Sequence, residues 1–93
     1  MEKNTEIFFA DNDWHLIDNN KKVRKQFTFR SFTQAFSWMT EIAFEAEKLD
    51  HHPDWTNVYN KIDIILSTHD QNKITEKDLL LAEFMEKAFE KYS

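Results

Sequence analysis

The sequence predicts an α+β fold in which a single-layer antiparallel sheet of four strands is covered by helices, in the order β-β-α-β-β-α. Two pairs of short segments alternate apolar and polar residues, as strands do, and a longer segment with helical spacing follows each pair. Polar, turn-forming residues divide the strands of the first pair, and an Asn divides those of the second. With 93 residues, 41% of them hydrophobic, we expect one domain over 1–93 with one core.

The first pair of strands lies on both sides of a polar turn. A short strand from Trp14 to Ile17 runs into Asp18–Lys21, a series of turn-forming residues. The second strand, Val23–Phe29, alternates with period two except at Lys25, which interrupts its apolar face. Because the chain contains no Gly, we expect Asn and Asp to take the backbone positions that need a positive φ.

The segment before this hairpin, residues 1–13, is the least determined by its pattern. Its apolar cluster, Ile7–Phe9, lies between polar ends. A cluster this short fits an edge strand, a helical turn or a loop anchor, and no periodicity chooses between them. We therefore treat 1–13 as a variable N-terminal segment.

A long helix is predicted to begin after Ser31, which with Gln34 has the spacing of a capping box. Its expected core stripe is Phe32, Ala35, Phe36, Met39, Ala43 and Ala46. A second apolar face, about 100° around the helix, consists of Trp38, Ile42 and Leu49. We interpret this second face as a subunit interface in preference to a second core face. The helix should end near Leu49 or Asp50, because Pro53 follows closely and disfavours helix before it.

The second pair of strands and a last helix complete the pattern. Trp55–Tyr59 and Lys61–Ser67 are expected to form a hairpin turned at Asn60. Thr75 and Asp78 repeat the capping-box spacing and open the final helix. The core stripe of that helix is expected to be Leu81, Phe84, Met85, Ala88, Phe89 and Tyr92.

The composition argues against several classes of protein. A net charge of −5 disfavours a nucleic-acid-binding surface, which needs a basic patch. The chain has no Cys, so neither disulfides nor thiol chemistry is expected, and we expect a cytoplasmic location. No apolar run is long enough to span a membrane, so we expect no membrane association.

Three of the four histidines, His51, His52 and His69, lie in one short part of the chain. A purely structural role suits a lone residue such as His15 better than an adjacent pair with a third nearby. A metal site is disfavoured, because adjacent residues in extended chain point to opposite sides and no His pair has i, i+4 spacing. Acid–base catalysis fits best, since imidazole exchanges protons near neutral pH.

The positions around this cluster resemble the signature of the pterin-4a-carbinolamine dehydratase family. That signature has an acidic residue, three positions, His-His-Pro, an aromatic residue six beyond the Pro, a His ten further and an Asp nine beyond that. These places are held here by Glu47, His51, His52, Pro53, Tyr59, His69 and Asp78. The resemblance covers most of the chain from about Trp14 onward.

The resemblance implies an enzyme, a 4a-hydroxytetrahydrobiopterin dehydratase (a hydro-lyase) of tetrahydrobiopterin recycling that works without a cofactor or a metal. Its catalytic residues would be His51, His52 and His69, of which His51 and His69 would move protons while His52 mainly holds the pterin. The substrate-binding residues would be Trp14, Asp50, His51, His52, Trp55, Ser67, Thr68, His69 and Asp70. Glu47, Pro53 and Asp78 would support the site, with Asp78 as an orienting or capping residue. Some relatives carry Cys two residues after the third His; Gln71 stands there in this chain.

The resemblance also implies partners. Besides a small-molecule pterin substrate, we expect a homo-oligomer, dimer or tetramer, and a functional link to an aromatic amino acid hydroxylase. Animal relatives also act as dimerisation partners of a homeodomain transcription factor. A protein-binding module that is a dimerisation cofactor of another protein is therefore the alternative function. The complete set of histidines favours the enzyme, because a binding module would tolerate their loss.

Overall fold

The computed structural model describes residues 1–92 and has the predicted α+β architecture. Its elements are α1 (Lys3–Asp11), β1 (His15–Ile17), β2 (Lys22–Thr28), α2 (Phe32–Leu49), β3 (Asp54–Val58), β4 (Lys61–Leu66) and α3 (Glu76–Phe89), with a 3₁₀ turn at Glu90–Tyr92. Within this described part of the chain, no helix is both long enough and apolar enough to cross a membrane.

The four strands form one antiparallel sheet in the order β1-β2-β4-β3. The two central strands, β2 and β4, place Phe27 opposite Ile62 and Val23 opposite Leu66. These side chains are buried on the face that the helices cover, since alternate residues of a strand share one face. The short strands β1 and β3 form the two opposite edges of the sheet.

The N-terminal segment, left open by its pattern, folds as the helix α1. Phe9 of α1 is buried, and its ring centroid lies 5.8 Å from that of Trp14. Trp14 in turn lies 6.0 Å from Phe27 in the centre of the sheet. This row of aromatic rings attaches α1 to the core beside β1 through Phe9, whereas Ile7 of the same apolar cluster is exposed.

Lys25, which interrupts the apolar face of β2, lies over the ring of Phe27 with its Nζ 4.6 Å from the centroid. Its Nζ donates to Oε2 of Glu86 at 2.6 Å and to the carbonyl oxygen of Asn12 at 2.8 Å. The same Glu86 oxygen accepts from the indole of Trp14. The ammonium group is therefore paired inside the layer between sheet and helices, and the alternation of β2 is preserved.

Helix α2 buries the face that was predicted to be a subunit interface. Trp38 and Ile42 are both 0% exposed. The Trp38 ring lies 4.7 Å from that of Phe27, and its Nε1 donates to the carbonyl oxygen of Met85 at 3.2 Å. The interface prediction for this face is wrong, because the indole fills the space between the sheet and α3 and finds a hydrogen-bond acceptor there.

The predicted core stripe of α2 is wrong in the opposite sense, because several of its residues are exposed instead of buried. Ala35 and Ala46 are buried as expected, but Phe32 is 48% exposed, Phe36 is 54% exposed and Ala43 is also exposed. Both faces of the helix are apolar, so periodicity alone did not distinguish the one that meets the sheet. The exposed surface of α2 therefore carries an aromatic pair, Phe32 and Phe36, whose ring centroids are 5.7 Å apart.

The two predicted capping boxes differ in their completeness. At α2 the hydroxyl of Ser31 accepts from the backbone N–H of Gln34, but the Gln34 side chain accepts from Arg30 instead of Ser31. At α3 the Thr75 side chain caps the first turn and Asp78 accepts from the Thr75 N–H at 2.9 Å, so the box is complete. Asp78 is thus fixed relative to the first turn of α3.

Among residues 1–92, positive φ angles fall on Asp and Asn as expected, with one exception at the β3–β4 turn. The residues are Asp13, Asp18, Asn19, Asn20, Asp50, Asn72 and the exception, Tyr59. The amide of Asn57 donates to the carbonyl oxygens of Tyr59 and Lys61 and so stabilises this turn. The turn was predicted at Asn60, and it consists of Tyr59 and Asn60. The Asn60 side chain also donates to the carbonyl oxygen of Phe29.

Candidate active site

A cavity of about 480 Å³ lies where α2 leads into β3 and where β4 leads into α3. All three clustered histidines border it. The lining residues are Asp50, His51, His52, Pro53, Asp54, Thr68, His69, Asp70 and Lys77. The fold thus brings two separate segments of the chain to one opening, as the histidine hypothesis requires.

The end of α2 places His51 and His52 on different sides of the chain. Asp50 takes the left-handed conformation, with φ 51° and ψ 46°, and the N–H of His51 donates to the carbonyl oxygen of Ala46 at 3.0 Å. This closure satisfies the last carbonyls of the helix and turns the chain sharply. As a result His51 is 8% exposed, whereas its neighbour His52 is largely exposed.

His69 lies at the tip of a small turn between β4 and α3. The backbone of Thr68 pairs with that of Lys73, its N–H donating to the Lys73 carbonyl oxygen at 2.9 Å. The N–H of Asn72 closes the tip by donating to the carbonyl oxygen of His69 at 3.2 Å. His69 and Asp70 are therefore held at the mouth of the cavity with exposed side chains.

Beneath the cavity, His51 is bonded to a buried acid. Its Nε2 lies 2.6 Å from Oδ1 of Asp78, which is 0% exposed. The other oxygen of Asp78, Oδ2, accepts from the hydroxyl of Thr68 and from the N–H of Thr75, both at 2.9 Å. A buried carboxylate is costly unless it is paired and hydrogen-bonded, and this one has partners on both oxygens.

His52, the exposed neighbour of His51, is paired with a different acidic residue, Glu47. Nε2 of His52 lies 2.5 Å from Oε2 of Glu47, in the last turn of α2. Both side chains are more than half exposed, so solvent weakens the electrostatic part of this pair. The contact can orient the imidazole of His52 without isolating it from solvent.

One ring nitrogen of His51 faces open space. Among residues 1–92, Nδ1 of His51 makes no hydrogen bond, whereas every side-chain N or O atom that is fully buried there has a partner. Nδ1 must therefore reach solvent, and the open space that His51 borders is the cavity. Within the same residues, no group of three or more His, Cys, Asp or Glu side chains is arranged to hold a metal ion.

Three predicted substrate-binding residues do not line this cavity. Trp14 is buried in the core and donates to Glu86 at 2.9 Å; it lies beside edge strand β1, whereas the histidine pair leads into β3 at the other edge. The indole of Trp55 faces the helices, 6.5 Å from Trp38, and Ser67 is buried at the end of β4. The expected tryptophan wall is therefore absent from the described residues of the single chain.

Two lining residues were missed by the sequence reasoning. Asp54 follows Pro53 at the start of β3, and Lys77 directly precedes Asp78 in the first turn of α3. The signal was the position of Lys77 beside an acid already assigned to the site. A residue at the N-terminal turn of a helix projects toward the same end of the helix as the cap does.

Comparison with known sequences identifies the family. The model of the family described as "Pterin 4 alpha carbinolamine dehydratase" matches residues 2–88. A protein of Sinorhizobium medicae, provisionally named a pterin-4-alpha-carbinolamine dehydratase, is 52% identical over 77 residues, which is 83% of this chain and 73% of the relative. A protein of Prochlorococcus marinus with the same provisional name is 45% identical over 87 residues, covering 94% of this chain and 92% of the relative.

Solved structures agree with the fold. A "transcriptional coactivator/pterin dehydratase" from Brucella melitensis is 36% identical, with a TM-score of 0.82 and coverage of 95% of this chain and 96% of that chain. A pterin dehydratase-like RuBisCO assembly factor of the alpha-carboxysome is 18% identical, with a TM-score of 0.69 and coverage of 81% and 87%, and shows the fold alone. The family match over residues 2–88, together with these identities, shows that the chain belongs to the pterin 4 alpha carbinolamine dehydratase family.

Proposed function

We propose that the chain is a hydro-lyase that dehydrates 4a-hydroxytetrahydropterin to quinonoid dihydropterin and water, in tetrahydrobiopterin recycling. The observation that carries this proposal is the meeting of His51, His52 and His69 at one cavity, with His51 bonded to the buried Asp78. Membership of the family supports the same reaction. A tightly held imidazole with one nitrogen open to a cavity is suited to proton transfer.

The reaction needs two proton transfers and no net oxidation. The substrate carries a hydroxyl group and an amine nitrogen on one carbon. A general acid protonates the departing hydroxyl oxygen, so that the C–O bond breaks and water leaves. A general base removes the N–H proton, and the nitrogen electron pair completes the C=N bond. Each transfer by a positioned side chain typically contributes a factor of about 10²–10⁴.

The three histidines take different parts in this scheme. His51 and His69 border the cavity from two different segments, so they can serve the two proton transfers. His52 is exposed and paired with Glu47, and its part is to hold the pterin. The chain needs neither a metal nor a cofactor for these steps, because imidazole can both give and accept the protons at neutral pH.

We further propose that the chain assembles as a homo-oligomer, through the exposed face of α2. Phe32, Phe36 and Phe44 are 48%, 54% and 71% exposed along this one helix. Exposed aromatic side chains clustered on one surface commonly mark an interface. The same surface is what a second function would use, as the docking site of a protein partner. The Brucella neighbour is described as a transcriptional coactivator as well as a pterin dehydratase.

The decisive assay follows the decay of a 4a-carbinolamine pterin by its ultraviolet absorbance. The purified protein should accelerate dehydration above the spontaneous rate, and EDTA should leave the acceleration unchanged. Activity that appears only with an added divalent ion would replace the acid–base proposal with a metal-dependent one. No acceleration at all, in a protein that is folded by circular dichroism, would leave the binding function on α2 as the better account.

A further inference from the structure

Behind His51, two threonine hydroxyls form a chain that ends on Asp78. Oγ1 of Thr75 lies 2.6 Å from Oγ1 of Thr68, and Thr68 donates to Oδ2 of Asp78 at 2.9 Å. We propose that Thr68 and Thr75 are positioning residues that keep the proton of neutral His51 on Nε2, so that Nδ1 is the bare base at the cavity. The catalytic consequence rests on the proposed function, whereas the position of the proton does not.

The direction of the chain follows from counting hydrogens. A threonine hydroxyl has one hydrogen, and that of Thr68 goes to the carboxylate of Asp78. Thr68 must therefore accept in its contact with Thr75, so the Thr75 hydroxyl is the donor. The Thr75 oxygen itself accepts from the backbone N–H of Lys77 at 3.3 Å. Every donor in this chain thus points, link by link, toward Asp78.

The chain determines what Asp78 can do at its other oxygen. Oδ2 receives two hydrogens, from the Thr68 hydroxyl and from the Thr75 N–H. An ionised carboxylate has no hydrogen to donate, so both of its oxygens can only accept. Oδ1 is therefore an acceptor too. Its contact with His51 at 2.6 Å requires a hydrogen on Nε2 of the ring.

A neutral imidazole carries one N–H, so a hydrogen on Nε2 leaves Nδ1 bare. Nδ1 is the nitrogen of His51 that reaches the cavity. Within residues 1–92 it has no hydrogen-bond partner, and no fully buried side-chain N or O atom there lacks one, so Nδ1 is not fully buried. His51 therefore presents an unprotonated Nδ1 to the cavity, where this nitrogen can accept a proton. After it accepts a proton, both nitrogens carry hydrogens, and the carboxylate of Asp78 stabilises the resulting charge.

Loss of the Thr68 hydroxyl would remove one of the two hydrogen bonds donated to Oδ2 of Asp78. Asp78 is fully buried, and a buried carboxylate with fewer donors is more costly to keep charged. If it takes up a proton on Oδ1, it becomes a donor to Nε2, and the ring hydrogen must move to Nδ1. His51 would then present an N–H to the cavity and could not act there as a base.

The proton position can be measured directly by ¹⁵N NMR of histidine-labelled full-length protein, at a pH where the His51 ring is neutral. In wild type, we expect the hydrogen on Nε2 and a bare Nδ1. In Thr68→Val, which keeps the shape of the side chain but lacks the hydroxyl, we expect a population with the hydrogen on Nδ1. The kcat should fall about 10-fold or more with KM little changed, because a hydrogen bond to a charged group is worth at least that factor. Thr68→Ser, which restores a hydroxyl, should return both the spectrum and most of kcat.

Two results would overturn the inference: a wild-type His51 with its hydrogen on Nδ1, or a Thr68→Val protein whose proton position matches wild type. If Thr68→Val does not fold, Thr75→Val and its hydroxyl-bearing counterpart Thr75→Ser give the same comparison one link further away. A wild-type protein without dehydratase activity but with the expected proton position would refute the proposed function and leave the positioning inference standing.

Discussion

His51 and Asp78 are 27 positions apart in the chain, and their side chains meet at 2.6 Å beneath the cavity. His51 follows the end of α2, and Asp78 belongs to the first turn of α3. The contact therefore joins the ends of the two longest helices, which also pack against each other. The orientation of the imidazole depends on that packing and on the cap of α3, so catalysis and local stability share the same side chain.

Asp78→Asn tests this relationship. The amide keeps the size of the side chain but brings an NH₂ group that conflicts with either His51 or Thr68, since both donate to Asp78. We expect kcat to fall by about 10²–10⁴, in the range of a misplaced catalytic imidazole. If the NH₂ group replaces Oδ2, it also faces the Thr75 N–H, and loss of that half of the capping box should lower the free energy of unfolding by about 1 kcal/mol.

The matched control is Glu76→Gln, the same chemical change in the same helical turn. Glu76 is exposed and does not line the cavity. We expect its kcat to stay within about twofold of wild type, as is usual for surface changes. Steady-state kinetics of the two variants checks the prediction, and an Asp78→Asn protein with wild-type kcat would show that Asp78 is only a cap.

His52 should affect binding more than turnover. Its side chain is exposed and paired with Glu47, outside the buried part of the site. We expect His52→Ala to raise KM more than it lowers kcat, because binding lost equally from substrate and transition state appears in KM. Glu47→Gln should change KM in the same direction by a smaller factor. A His52→Ala protein whose kcat falls as far as that of a general acid or base would place His52 among the proton-transfer groups.

Trp38 is expected to be a core residue in any stability measurement. It is fully buried against Phe27 and bonded to Met85. Trp38→Ala should lower the free energy of unfolding by about 3–5 kcal/mol, as loss of a large buried aromatic side chain does. Ile7→Ala, on the exposed side of α1, is the control and should cost less than about 1 kcal/mol. Urea titration checks both, and similar small costs for the two would contradict the packing of α2.

Substitution on the exposed face of α2 tests the proposed homo-oligomer. Phe36→Glu places a charge in the exposed aromatic surface and should yield particles of lower mass in light scattering. Asn4→Asp adds the same charge on an exposed position of α1 and should keep the mass of wild type. Unchanged mass in Phe36→Glu, with wild type an oligomer, would move the interface to another surface. A monomeric wild type would refute the oligomer proposal.

Much of the fold could be predicted because local chemistry agreed with it. The turn at Asp18–Lys21, the caps at Ser31 and Thr75 and the alternation of β4 each indicate one structure only. The prediction of which face of α2 meets the core was wrong because two faces of this helix are apolar. A helical pattern shows that a face is apolar without showing what that face packs against. Only the tertiary packing of Trp38 on Phe27 decides between them.

The convergence of the three histidines at one cavity could be predicted from the sequence, but the location of the tryptophans could not. His51, His52 and His69 flank the ends of predicted elements, and the antiparallel order of the sheet brings those ends together. Trp14 was placed at the site for its flat ring, yet its location depends on the strand order, which puts β1 and β3 at opposite edges. The resemblance implied an orienting or capping role for Asp78, and Asp78 makes both kinds of contact, one with His51 and one with the Thr75 N–H.

In the proposed reaction, His51 and His69 move the protons of the dehydration. The most direct measurement is kcat of His51→Ala and of His69→Ala on each stereoisomer of the 4a-carbinolamine, with the hydroxyl on one or the other face of the pterin ring. We expect each substitution to lower kcat by about 10²–10⁴ on at least one isomer. The hydroxyl can lie on either face of the ring, and where each histidine serves one face, the loss should be smaller on the isomer whose hydroxyl faces the remaining histidine. A wild-type kcat on both isomers in either variant would show that this histidine does not move a proton in the reaction.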